Sequence, residues 1–165
     1  MQILPKNFND SPLVSLSEVN KILTCNDYTV NYSLVLSHEQ VRELIKTRQE
    51  ALKANGRVEF RSVIIEKLVY EFCDSPFLFQ DNFAQTLHEL IDIFYYYKNE
   101  TRGVLSDNEL IQFMGKAFNG FCQGSLELLS GTALEEMVFD LFGKNDINGK
   151  NRYNRGFEEE EDYDE

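Results

Sequence analysis

The chain has 165 residues, of which 28 are acidic and 16 basic, and its net charge is −12. This length is typical of one domain, and the 42% of hydrophobic residues can supply a core without help from a metal or a disulfide. The negative charge repels phosphate backbones and anionic lipids, so we expect no binding to nucleic acid and no association with a membrane.

The cysteine pattern predicts a reducing compartment. Cys25, Cys73 and Cys122 are widely separated, and their spacing matches no zinc or redox motif. The first ten residues contain one lysine, one proline and no apolar run typical of a signal peptide or an anchor. We therefore expect a cytoplasmic protein that needs no metal and no cofactor.

The first predicted helix begins at Ser15, which has capping-box spacing to Glu18. Its end is ambiguous, because apolar residues also alternate with period two over residues 28–36, as they do in a half-buried strand. A helix that ends near Tyr32 and continues as an extended link is the preferred interpretation. A short extended segment near residues 28–36 that forms a strand is the alternative.

Two further helices are predicted before residue 76. Ser37 begins the second, which ends at Gly56. From Val58 to Cys73 the apolar side chains, Phe60 among them, nearly encircle a third helix. An apolar surface on all sides predicts a central position in the fold for this helix.

The rest of the chain predicts further helices and a tail. An apolar stripe that begins at Phe83 marks a fourth helix to about Asn99, and Ser106 caps a fifth that ends before Gly120. A short segment at 125–129 and a last helix from Thr132 to just before Gly143 follow. Residues 143–165 are rich in Asn, Gly and charge, which is typical of disorder.

Together these elements predict an all-α fold, a compact bundle of about five to seven helices. We expect an N-terminal extension over residues 1–14, a single helical domain over 15–142 and a disordered acidic tail over 143–165. The tail carries 8 acidic and 4 basic side chains, so the helical domain is acidic by itself.

The segment between the fourth and fifth helices has the outline of a calcium-binding loop, with Gly103 at position six and Glu109 at position twelve. Position one is Lys98 and position five is Arg102, however, and both cations repel a calcium ion. A helical hairpin with a glycine turn and no metal is therefore the prediction.

Two sets of side chains are candidates for catalysis. Cys122 lies in a loop before a short helix whose N-terminal amides could lower the thiol pKa, and His88 is the candidate base. The carboxylates of Glu66, Glu71 and Asp74 form the second set. Each set works only if its members meet in one pocket, and neither belongs to a known catalytic motif. An enzyme that uses Cys122 or these carboxylates is therefore the alternative to a non-enzymatic protein.

Four consecutive aromatic residues, Phe94 to Tyr97, spread around most of the circumference of the fourth helix. Phe94 continues the apolar stripe, so Tyr95 and Tyr96 are candidates for a surface that contacts a partner. The leading hypothesis is a cytosolic protein-interaction module that binds a protein partner or itself. A further alternative is an acidic mimic of nucleic acid, which requires carboxylates arranged along one face of the domain.

Six stretches of the chain are similar to a bacterial, clostridial-type domain family of unknown function whose members have about this length. They are Gly56-Arg57-Val58-Glu59-Phe60, Ile64-Ile65-Glu66-Lys67, Phe72-Cys73-Asp74-Ser75-Pro76, Phe94-Tyr95-Tyr96-Tyr97-Lys98-Asn99-Glu100, Ser106-Asp107-Asn108-Glu109-Leu110 and Cys122-Gln123-Gly124-Ser125-Leu126. The resemblance extends from about Asn26 to Phe142, and the chain departs from the family at Ser33, Arg61 and Ser62, where glycines are expected. It implies a bacterial cytosolic setting and one domain, and it assigns no catalytic residue.

Overall fold

The computed structural model describes the backbone of residues 14–60 and 63–150 and the side chains of 14–60 and 63–143. Its helices, with the turns that join them, are α1 Leu16–Leu23, α2 Asn26–Thr29, a 3₁₀ turn Val30–Tyr32, α3 His38–Ala54, α4 Ile64–Phe72, α5 Gln80–Glu100, α6 Asp107–Asn119, α7 Leu126–Leu128, a π-helical turn Leu129–Ala133 and α8 Leu134–Lys150. These ranges contain no strand. The all-α prediction is confirmed.

Serine side chains cap four of the described helices, and the caps at Ser15, Ser37 and Ser106 are the ones that the sequence predicts. The Ser37 hydroxyl accepts the Gln40 backbone N–H at 3.0 Å, and the Gln40 side chain accepts the Ser37 N–H at 2.9 Å. Ser106 and Glu109 make the same reciprocal pair at 3.1 and 2.9 Å. The Ser15 hydroxyl accepts a backbone N–H three residues ahead at 3.3 Å. Each cap contributes about 1 kcal/mol to helix stability.

Helix α5 is the centre of the bundle, where we expected the preceding helix. It packs against α3, α4, α6 and α7. Its apolar stripe is fully buried and consists of Phe83, Leu87, Leu90, Ile91 and Phe94. Helix α4 buries its apolar residues, whereas Tyr70 on its other side is exposed.

The link between the 3₁₀ turn and α3 explains the period-two pattern of residues 28–36. Leu34 and Leu36 are buried and Val35 is exposed, as in a strand. The Asn26 side chain pairs with the Leu36 backbone at 2.8 and 2.9 Å, and the Gln80 side chain pairs with the Val35 backbone at 2.9 Å in both directions. Amide side chains therefore replace a strand partner, and the extended link after Tyr32 is observed. The single helix from Ser15 to near Tyr32 was wrong, because the structure divides this segment into α1, α2 and the 3₁₀ turn.

The predicted third helix begins later than expected. Residues 58–60 lie before it in a loop, and α4 starts at Ile64. Val58 and Phe60, which the sequence assigns to the apolar surface of this helix, are exposed. The prediction was wrong here because Glu59 turns inward to a charged cluster, as described below.

The last helix continues beyond its predicted end. We expected it to end before Gly143, whereas α8 extends to Lys150. Gly143 lies inside the helix, where the Phe139 ring approaches to 3.2 Å from the position that a Cβ would occupy. Residues 1–13 and 151–165 lie outside the described ranges, so the extension and the disorder of the tail stay predictions.

Candidate functional site

The first catalytic pair does not form a site among the described residues. The His88 Nδ1 atom pairs with the Thr47 hydroxyl at 2.6 Å, and no hydrogen bond or charge interaction between His88 and Cys122 occurs in the part of the chain that the structure describes. Cys122 is buried, and burial raises the pKa of its thiol. A nucleophilic cysteine requires the opposite shift.

Of the three candidate carboxylates, Glu71 and Asp74 lie close enough for their charges to interact, whereas Glu66 has other charged neighbours. Burial raises the pKa of Glu66, and Lys21 on α1 acts against this shift. Burial and the charge of Asp74 raise the pKa of Glu71, and the positive charge of Lys116 on α6 offsets only part of this rise. Within residues 14–60 and 63–143, no group of three or more His, Cys, Asp or Glu side chains is arranged to hold a metal ion.

The aromatic run on α5 divides between core and surface. Tyr95 is fully buried, with 0% of its surface exposed, so including it in a partner surface was wrong. Its burial is possible because its hydroxyl pairs with Arg48 and Glu59. Tyr97 is buried as well, while Tyr96 is about half exposed, and its role in an interaction stays a prediction.

A charged cluster around Glu59 fixes the loop between α3 and α4. The Tyr95 hydroxyl donates to Glu59 Oε1 at 2.9 Å, and Arg48 Nη2 lies 3.4 Å from the same oxygen. Lys98 Nζ lies 3.3 Å from Glu59 Oε2, and Arg57 Nε lies 3.7 Å from it. One carboxylate therefore joins α3, α5 and its own loop.

The loop, residues 55–60, is named here the anchored loop. A second set of contacts holds its first half against the end of α5. The Asn99 side-chain amide donates to the Asn55 backbone carbonyl at 3.0 Å, and Arg57 Nη1 donates to Asn99 Oδ1 at 2.8 Å. The backbone reverses at Gly56, whose φ of +66° lies in the left-handed region. The anchored loop is thus fixed both at its turn and at Glu59.

The electrostatics of the cluster favour an ionised Glu59. Burial alone would raise the pKa of Glu59, but the hydrogen bond from Tyr95 and the charges of Lys98 and Arg48 outweigh it and lower the pKa. Arg48 is 4% exposed, so its guanidinium depends on this carboxylate as a counter-charge. Lys98 also pairs with Asp107 at 2.7 Å, which ties α6 to the cluster.

The anchored loop exposes the two apolar side chains beside Glu59. Val58 is 78% exposed and Phe60 is 95% exposed. An open cavity of about 630 Å³ lies beside them, between the loop and α3. Its lining combines these apolar side chains with charged groups, among them Arg48, Lys53, Arg57 and Glu59. The loop thus points its charge into the protein and its apolar groups toward solvent.

Residues 21–145 match a family described as a family of unknown function, DUF6323. The chain belongs to this family. The match includes the anchored loop and its partners on α3 and α5, and it confirms the predicted membership of a domain family of unknown function. The bacterial, clostridial-type origin stays a prediction.

The chain matches no curated protein and no solved structure. Among the described residues, no helix combines the length and the apolar character that crossing a membrane requires. What the DUF6323 family does therefore has to be argued from the site itself.

Sequence reasoning missed the cluster, although one signal of it is present. Arg48 continues the apolar stripe of α3 that includes Val41, Leu44 and Leu52. A cation in an apolar stripe indicates a buried acidic partner, because an unpaired buried charge is strongly unfavourable. Which carboxylate supplies the partner is not visible in the sequence pattern.

Proposed function

We propose that this DUF6323 member is a protein-interaction module and that the anchored loop is its contact with a protein partner. The observation that carries the proposal is the exposure of Val58 and Phe60 on a loop whose central residue is held by four side chains. A phenylalanine that is 95% exposed leaves nearly its whole apolar surface in contact with water. Burial of such a side chain in a partner contributes about 1.5–3 kcal/mol.

The rigid backbone of the anchored loop strengthens the argument. Binding by a flexible loop loses conformational entropy, whereas a loop already fixed in its bound geometry avoids most of that loss. Glu59 and Asn99 fix the backbone on both sides of Val58. The arrangement resembles an interface hot spot, in which one or two buried apolar anchors supply most of the binding energy.

The partner suited to this surface has an apolar pocket for Phe60. The cavity next to Phe60 is lined by Glu18 and Glu59 as well as by Arg48, Lys53 and Arg57, so its mixed charges favour neither an acidic nor a basic partner. Self-association is a second way to cover Phe60. Tyr96 is a further contact residue in the proposal, because it is the half-exposed member of the aromatic run.

The test compares two exposed phenylalanines. Phe60→Ala removes the proposed anchor, and Phe79→Ala is the matched control, since Phe79 is 62% exposed and lies outside the anchored loop. Each variant and the parent chain are used as bait in the source cell, with captured proteins quantified and self-association measured by sedimentation. We expect a partner or a self-associated form that Phe79→Ala retains and Phe60→Ala weakens about tenfold or more.

A thermal melt of each variant shows whether the fold is intact, and removal of an exposed side chain should leave the melting temperature nearly unchanged. If Phe60→Ala captures the same proteins at the same level as the parent chain and self-association is unchanged, the anchored loop is not an interaction site.

A further inference from the structure

Three tyrosines form a second surface, here named the tyrosine triad: Tyr28 on α2, Tyr32 in the 3₁₀ turn and Tyr70 on α4. The ring centroids of Tyr28 and Tyr32 are 5.7 Å apart at an interplanar angle of 60°. Those of Tyr28 and Tyr70 are 5.6 Å apart at 62°. All three side chains are 41–47% exposed, so their rings contact one another and water at once.

Contacts of the tyrosine hydroxyls and of the turn that carries Tyr32 hold the three rings in place. The Tyr28 and Tyr32 hydroxyls lie 3.4 Å apart, and the buried thiol of Cys25 lies close enough to Tyr70 to raise the pKa of its hydroxyl. The turn that carries Tyr32 is closed by a bond of 2.7 Å from the Thr29 hydroxyl to the Leu34 carbonyl. The three rings therefore form a preformed surface.

The charged side chains that raise the pKa values of Tyr32 and Tyr70 are carboxylates, while Lys67 lines a cavity together with Tyr70. Hydrogen bonding with Tyr28 is the main cause that raises the pKa of Tyr32 to about 12, and Asp74 adds to it. Hydrogen bonding with Cys25 is the main cause that raises the pKa of Tyr70 to about 12, and Glu66 and Asp27 add to it. The hydroxyls of Tyr32 and Tyr70 are thus neutral at physiological pH, and the negative charge near these rings comes from acidic side chains.

We propose that the tyrosine triad binds a cationic side chain, arginine or lysine, of a partner protein. The face of an aromatic ring attracts a cation, and several rings at an angle to one another are a recurring way to bind one. The carboxylates of Asp27, Glu66 and Asp74 add Coulomb attraction for the same charge and give no advantage to a purely apolar occupant. Arginine fits best, because its planar guanidinium also stacks on aromatic faces.

The proposal is tested with a short glycine-rich peptide that contains one arginine and a second peptide in which citrulline replaces it. Citrulline has nearly the same shape and no charge, so the pair isolates the cation. NMR titration of the full chain follows the ring resonances of the triad. We expect saturable shifts with the arginine peptide and a response at least about threefold weaker with the citrulline peptide. Equal responses, or no response to either peptide, would overturn the proposal.

Variants locate the binding. Tyr28 contacts both other rings, so Tyr28→Leu should weaken binding of the arginine peptide about threefold or more, whereas Tyr28→Phe keeps the ring and should bind like the parent chain. Phe121→Leu, at an exposed aromatic residue that follows α6 and has no part in either proposed contact, is the control and should have no effect. Circular dichroism of each variant confirms the fold. Equal binding by Tyr28→Leu and the parent chain would show that the peptide binds elsewhere.

Discussion

Glu59→Gln is the most direct test of the charged cluster. The substitution keeps the shape of the side chain and removes its charge, and it places an amide NH₂ group in the position of one carboxylate oxygen. Lys98 and Arg57 would then face a donor in place of Glu59 Oε2, which they now approach to 3.3 and 3.7 Å. Arg48, with a side chain that is 5% exposed, would lose its ion pair with Glu59.

The expected loss of stability lies between two limits. A fully exposed ion pair contributes about 0–1 kcal/mol, and breaking a fully buried pair costs about 3–5 kcal/mol. The Glu59 side chain is 20% exposed and Arg48 is more deeply buried, so solvent screens part of the interaction. We expect Glu59→Gln to lower the free energy of unfolding by about 2 kcal/mol, within a range of about 1–3 kcal/mol.

The pH dependence identifies the charge as the cause. The pKa of Glu59 is lowered from its ordinary value of 4.5, so its ionisation contributes stability above that pH and loses it as the pH falls through the lowered pKa. The difference between the parent chain and Glu59→Gln should therefore be complete at neutral pH and shrink as the pH falls below 4.5 and through the lowered pKa of Glu59.

Urea unfolding, followed by far-ultraviolet circular dichroism because the chain contains no tryptophan, measures the difference at each pH. Glu43→Gln is the control, since Glu43 pairs with Lys46 on the surface at 3.6 Å and should change stability by less than about 0.5 kcal/mol. Two results would refute the role of the Glu59 charge in stability. One is a loss of unfolding free energy in Glu59→Gln no larger than that in Glu43→Gln, and the other is a loss that stays the same in acid.

Two backbone predictions use the same unfolding measurement. Gly124 has a φ of +85° and its Cβ would lie 2.6 Å from the Phe77 ring, so Gly124→Ala should cost about 2–4 kcal/mol. Gly103→Ala, at a φ of +78° with open space around it, should cost about 1 kcal/mol, and equal costs would contradict the steric argument. Ser33 has a φ of 63°, so Ser33→Gly should raise stability by about 0.5–1 kcal/mol, while Ser17→Gly inside α1 should lower it. A loss of stability in Ser33→Gly would show that the left-handed backbone is not strained there.

The helices could be predicted from the sequence because their signals are local. The capping boxes at Ser37 and Ser106 require only two residues that are three positions apart, and both boxes are present in the structure. The stripe of α5 repeats within one helix, so its buried face also follows from spacing alone. The left-handed backbone at Ser33 was not predicted, because this chain has a serine where the family resemblance implies a glycine.

The anchored loop could not be predicted in the same way, because its conformation depends on distant residues. Tyr95 is 36 positions and Lys98 39 positions from Glu59 along the chain. The apolar pattern around Phe60 fits a helix equally well until these partners are known. The assignment of Tyr95 to a surface was wrong for the same reason. A tyrosine is fully buried only where its hydroxyl has a hydrogen-bond partner, and the partners of Tyr95 are distant in the sequence.

The stability of the cluster and the proposed interaction at Phe60 are connected through the backbone. Glu59 lies between Val58 and Phe60, so the side chains that hold it also determine where these two apolar groups point. Phe60→Ala removes a contact, whereas Glu59→Gln leaves that contact in place and loosens the loop that presents it. If preorganisation contributes to binding, a partner lost in Phe60→Ala must also bind Glu59→Gln more weakly under conditions where that variant is still folded.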